Sequence, residues 1–239
     1  MQRHTLLQSL AYHLLPGLAP LACMLAVAPI MEPLGLPMAL ALYLGAFLGV
    51  LPVQLGILYY LGWRRNGRLS LKGVVLLRQR VSAGKMLLLV LGTLVWAALV
   101  FALLGSRLDG LLRPAFAWMP SFLRTASEDF SAFPRTVALV TWAVGVVGTA
   151  WLAPFVEELY FRGFLLPRMP VSSTSAALVH AALFSLYHFW SPWQVLTRIV
   201  AVTPMTYAVQ KSRSIWVSVF THLLLNTVAM SASLASILQ

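Results

Sequence analysis

The chain has 239 residues, 60% hydrophobic and 10% charged, with a formal net charge of +11. Soluble domains run about 45–50% apolar and about 25% charged, so this composition excludes an ordinary soluble protein and marks an integral membrane one. Cys23 is the single cysteine and excludes an internal disulfide; the positive charge reads as cytoplasmic loops meeting anionic headgroups, with no nucleic-acid partner indicated.

The first apolar stretch follows Arg3 and His4 and runs to about Ile30, interrupted by Pro16 and Pro20. Ala26-Val27-Ala28 has the small-x-small form of a signal cleavage site. The length of the run and the spans behind it favour an uncleaved first span. His4 and His13 sit near the N-terminal interface and carry no assigned role. Glu32 and the Pro33–Pro37 region predict a turn. Met38 to Trp63 is the second span, closed by an aromatic belt at Tyr59, Tyr60 and Trp63.

Arg64 to Lys85 holds Arg64, Arg65, Arg68, Lys72, Arg78, Arg80 and Lys85 and no acid. Leu71, Val74, Val75, Leu76 and Leu77 lie between them. The pattern predicts a short basic amphipathic helix on the cytoplasmic surface, binding anionic lipid. Met86 to Leu104 is the third span. Ser106 to Arg135 predicts a mixed-charge loop with Asp109, Glu128 and Asp129. Its Phe116, Trp118, Phe122 and Phe130 would rest on the outer interface. The fourth span runs from Thr136 to about Leu166 and contains Pro154. The fifth is Val171 to Trp190. The sixth is Trp193 to Val209, with Arg198 and Pro204 inside it. The seventh is Ile215 to Leu238.

A span needs about 20 apolar residues. The expected fold is therefore all-α: one polytopic transmembrane helix bundle over residues 1–239, of seven spans, or eight if a loop segment inserts. The positive-inside rule places the 64–85 loop, the N-terminus, Arg168, Lys211 and Arg213 in the cytoplasm. Glu32, Asp109, Glu128 and Asp129 then fall outside.

The fourth span carries Glu157-Glu158-Leu159-Tyr160-Phe161-Arg162. A charge at bilayer depth costs roughly 2.5–3.5 kcal/mol on insertion scales, so three in six residues mark a site. Glu158 and Arg162 are four apart and form a helical pair. That leaves Glu157 without a partner. Phe184-Ser185-Leu186-Tyr187-His188 and His222-Leu223-Leu224-Leu225-Asn226 repeat the four-residue spacing on later spans. For His180 an interhelical hydrogen bond is sufficient explanation. At about 1.5 Å per residue, Glu157 lies about 20 Å above the cytoplasmic level, His188 about 25 Å and His222 about 12 Å. A shared site is allowed, with His188 high and His222 low.

A carboxylate and an imidazole suit activation of water, with Glu157 taking the proton and His188 orienting the nucleophile. His222 and Asn226 suit stabilisation of an oxyanion. Glu157, His188 and His222 also make a donor set for catalytic zinc, the alternative to a site without cofactor. A proton or ion relay in a transporter and a non-catalytic bacteriocin-immunity protein are the competing functions.

These three motifs, in this order on apolar segments, resemble the CAAX protease and bacteriocin-processing (CPBP/Abi) family. The resemblance covers residues 136–238. It implies an intramembrane endopeptidase acting near the C-terminus of a lipidated or membrane-anchored protein, by a glutamate mechanism. Carried to this sequence, it implies that Glu157 and His188 activate water, that His222 and Asn226 form the oxyanion site, and that Arg162 holds Glu158.

Overall fold

A computed structural model describes residues 3–124 and 129–238. In lipid every backbone N–H and C=O must find an internal partner, and helices do this within one segment. The described residues accordingly form helices joined by turns, with two isolated β-bridges. Helix α1 (Leu6–Leu14) opens on a capping box between Thr5 and Gln8. A single tight turn at Leu15–Gly17 leads into α2 (Leu18–Met31). Then follow α3 (Met38–Asn66), α4 (Ala83–Leu99) and α5 (Gly105–Leu112). The helix α6 is short (Ser121–Arg124), and α7 (Arg135–Gly145) continues through Val146–Leu152 into α8 (Ala153–Glu157). The last three are α9 (Ser173–Leu186), α10 (Val195–Ser212) and α11 (Trp216–Leu238).

The all-α bundle expected from the sequence is what the chain forms. Among the described residues five continuous runs are long and apolar enough to cross a membrane: Leu6–Met31, Met38–Asn66, Ala83–Phe116, Arg135–Arg168 and Trp216–Leu234. They correspond to the first, second, third, fourth and seventh expected spans. The expected fifth and sixth fall short of that standard. Helix α9 has 14 residues, about 21 Å at 1.5 Å per residue, against a hydrocarbon core of about 30 Å. Helix α10 has 18 residues but carries Arg198, Gln210 and Lys211. The two pack against each other.

Two expected loops are corrected. The 64–85 stretch is not an amphipathic helix. Helix α3 runs on to Asn66, and an irregular segment fills the distance to Ala83. Gly67, Gly73 and Leu77 all have positive φ, which breaks a right-handed helix. Val74 and Val75 turn inward and are buried in the main core with Leu58, Phe164 and Leu165. Val75 seats on Gly163, where an added Cβ would lie 2.6 Å from its Cγ1. The amide of Leu76 bonds the Gly163 carbonyl at 2.8 Å. The seven basic side chains stay exposed. The Arg78–Ser214 bridge joins this segment to the α10–α11 turn with its exposed Lys211 and Arg213. The 106–135 stretch, in turn, is largely helical turns among its described residues and not an open loop. Asp109 is buried and accepts a hydrogen bond from Thr197 at 2.5 Å. Glu128 lies outside the described residues.

Candidate active site

The fourth long helix is not a uniform α-helix. Val146–Leu152 and Glu158–Leu165 are wound as π-helix, with α8 between them. Such widened turns occur frequently at functional sites. In the first, the Ala153 amide reaches back five residues to the Gly148 carbonyl. Pro154, five residues beyond Thr149, has no N–H to give. The Thr149 carbonyl is left without a helical donor. The Nδ2–H of Asn226 fills the gap at 3.0 Å. This bond pins α11 to the widened turn and leaves Asn226 a second N–H.

The second widened turn carries the charges. Glu158 and Arg162 are fully buried, and Glu157 is 5% exposed. Oε1 of Glu158 accepts from Arg162 Nη1 at 3.0 Å and from His222 Nδ1 at 2.9 Å. The sequence placed the Glu158–Arg162 pair correctly; the structure adds His222 as its third member. Because a carboxylate accepts, His222 carries a proton on Nδ1 and turns Nε2 away from Glu158.

Phe184 is the surface on which the motifs meet. Its buried ring has the Arg162 guanidinium 4.0 Å from its centroid. The His188 ring lies edge-on to it at 4.8 Å and the His222 ring at 6.3 Å. The depth difference between His188 and His222 is removed because α9 stops at Leu186 and the chain turns at Tyr187–Ser191. His188 Nδ1 donates to the Phe184 carbonyl at 2.7 Å, so Nε2 is the ring's acceptor. Arg198 braces this turn from α10. It donates to the Ser185 carbonyl at 3.3 Å, to Ser191 Oγ at 2.8 Å and to Gln194 Oε1 at 2.7 Å, on both sides of His188.

Two residues that the motifs leave out belong to the site. Gln54 Nε2 donates to the Tyr187 hydroxyl at 3.0 Å. With its oxygen so engaged, Tyr187 is free to give its own proton, and the acceptor in reach is Glu157. Among the described residues Glu157 has no direct hydrogen bond to His188 or His222; the charged and polar groups around it are His222, Glu158, Tyr187 and Arg162. A signal for Gln54 was present: a fully buried amide in the middle of the second apolar run demands a partner. Tyr187 sits beside His188 but read as the end of a span.

Among the described residues no three His, Cys, Asp or Glu side chains are grouped to hold a metal ion. His222 Nδ1 is taken by Glu158 at 2.9 Å. The Nδ1 bonds of His188 and His222 leave both Nε2 atoms free, as in zinc-ligating imidazoles, but Glu157, His188 and His222 are not gathered round one point among the described residues.

Residues 139–228 match the family model described as Type II CAAX prenyl endopeptidase Rce1-like. The resemblance to CAAX proteases holds. The matched segment contains Glu157, Glu158, Arg162, Phe184, His188, His222 and Asn226, the residues the site is built from. This CAAX protease match supports an intramembrane protease, and the apolar helices a membrane protein. No curated protein and no solved structure matched the chain.

Proposed function

We propose that this chain is an intramembrane endopeptidase that hydrolyses a peptide bond near the C-terminus of a lipidated or membrane-anchored protein. Glu157 takes a proton from the attacking water as the C–O bond forms. Tyr187 orients Glu157 and is in turn held by Gln54. His188 orients that water by accepting at Nε2, and the protonated Glu157 returns the proton to the leaving amine as the intermediate collapses and the C–N bond breaks. Asn226 gives its remaining N–H to the oxyanion that develops on the carbonyl. Donation from His222 to the same oxyanion needs a proton on Nε2 as well as Nδ1. The Glu158 carboxylate on Nδ1 is the group that balances the resulting charge. The observation that carries the reading is the convergence of Arg162, His188 and His222 on Phe184, beside Glu157.

The test uses the purified chain in liposomes and a fluorogenic peptide with a farnesylated cysteine four residues from its C-terminus. Release of the terminal fragment is expected, and it should persist after treatment with EDTA or phenanthroline. Loss of activity to chelator with recovery on adding zinc would remove the glutamate mechanism but keep the class. Absence of cleavage, together with identical membrane peptides in cells with and without the chain, would remove the class.

The exposed basic residues of the 64–85 segment support contact with anionic lipid on the cytoplasmic side, and with it a cytoplasmic N-terminus. Each basic residue near an anionic surface contributes about 1 kcal/mol. Native mass spectrometry from mixed phosphatidylcholine and phosphatidylglycerol nanodiscs should show phosphatidylglycerol retained. Changing Arg64, Arg65, Arg68 and Lys72 to glutamine should abolish the preference. Equal retention of both lipids by the unaltered chain refutes the contact.

A further inference from the structure

Helix α1 and the residues before it lie outside the matched segment, yet they are tied at four points to the charged turn, to the residues that follow it and to α9. The His4 amide bonds the Arg168 carbonyl at 2.9 Å. The Tyr160 hydroxyl donates to the Tyr12 carbonyl at 2.8 Å. Ser9 Oγ donates to Met169 Sδ at 3.6 Å. The fourth tie is a pair of fully buried histidines, His13 Nε2 to His180 Nδ1 at 2.9 Å. His13 is thus a core residue and not an interfacial one, and His180 makes the interhelical bond its sequence setting predicts.

The proton order along this pair is fixed by its ends. His13 Nδ1 faces the Ser9 carbonyl at 2.7 Å, which can only accept. His13 therefore donates there and accepts at Nε2. His180 must donate from Nδ1 and is left with an acceptor at Nε2. Among the described residues, that buried Nε2 has no partner. Neither have two buried donors of Arg162, Nε and Nη2. His180 lies one turn before Phe184 on α9, the ring that carries the Arg162 guanidinium. Both histidines feel the Arg162 charge. An unpartnered acceptor and unpartnered donors, each costly to leave so, occupy the same interior region with opposite sense.

We propose that His13 and His180 are positioning residues for Arg162, joined to it by one ordered water that accepts from the guanidinium and donates to His180 Nε2. Buried waters typically make about three such bonds. The line then runs from Ser9 through His13, His180, water and Arg162 to Glu158 and His222. It makes α1 part of the device that fixes His222. The role of that device in hydrolysis rests on the protease reading above; the bonding does not.

The bonding is tested first, by solid-state NMR on full-length chain labelled with 15N at histidine and arginine, in bilayers. His13 and His180 should both be protonated at Nδ1, with the His180 Nε2 shift of a hydrogen-bonded acceptor. In His180→Phe, amide exchange at Arg162 Nε should quicken about tenfold, the size expected for loss of one buried bond. His180→Gln keeps an acceptor at the place of Nε2 and should restore protection. A free-lone-pair shift at His180 Nε2, or equal protection in the Phe and Gln variants, overturns the proposal. Should His180→Phe not fold, His180→Gln against the unaltered chain, with His13→Phe, decides the same question. On the farnesylated probe, His180→Phe should lower kcat about tenfold with KM within about twofold, and His180→Gln should recover it. If the unaltered chain does not cleave the probe, the protease reading fails while the NMR result stands.

Discussion

Glu157→Gln removes hydrolysis and leaves the fold in place. Glutamine keeps the shape and one oxygen for the Tyr187 hydroxyl, but it cannot take a proton from water. A positioned general base contributes about 10²–10⁴-fold, so kcat on the farnesylated probe should fall by about three orders of magnitude. KM should change little, because the missing step is chemical and not one of binding. Thermal unfolding in detergent should match the unaltered chain within about 1 kcal/mol, since no buried charge is stranded. Tyr187→Phe is the graded companion. It takes away the hydroxyl between Gln54 and Glu157 but not the base, so its loss should be far smaller, about tenfold. Retention of full activity in Glu157→Gln would reassign the base, and Glu158 is poorly suited to replace it because Oε1 already serves Arg162 and His222.

How far the sequence reaches depends on what each residue spends its polarity on. The five long apolar runs are legible because lipid admits only helix there. The Glu158–Arg162 pair is legible because four residues separate its members on one turn. Two features hid the rest. The π-helical turns change which side chains face α11, and only the joint effect of Pro154 and the diverted Ala153 amide shows why Asn226 sits on Thr149. The 64–85 segment looks amphipathic, but Gly67, Gly73 and Leu77 at positive φ turn its apolar residues into a plug on Gly163. Composition alone extends helix α9 to Trp190. Its early end, braced by Arg198, is what lowers His188 to the level of the other groups. His13 reads as interfacial because its partner lies 167 positions along the chain, a separation no local pattern reports.

Arg162→Ala should be the most destabilising single change in the site. Its side chain is fully buried, bonds Glu158 at 3.0 Å and stacks on Phe184. Removing it strands a buried carboxylate whose other bonded partner on Oε1 is His222. Breaking one half of a buried ion pair costs about 3–5 kcal/mol, a large part of the roughly 5–15 kcal/mol that holds a typical domain folded. Thermal unfolding in detergent should show this directly. Lysine should not rescue it, because an ammonium cannot spread over the Phe184 face as a guanidinium does. The double change Glu158→Leu with Arg162→Met should recover most of the lost stability, since a buried pair replaced by apolar groups of similar volume is often neutral or better. It should recover no activity, because His222 Nδ1 then has no acceptor to fix its tautomer. That split assigns Arg162 to architecture and Glu158 to both architecture and the setting of His222. An Arg162→Ala chain as stable as the original would mean that Glu158 is not held as a carboxylate by Arg162 at all.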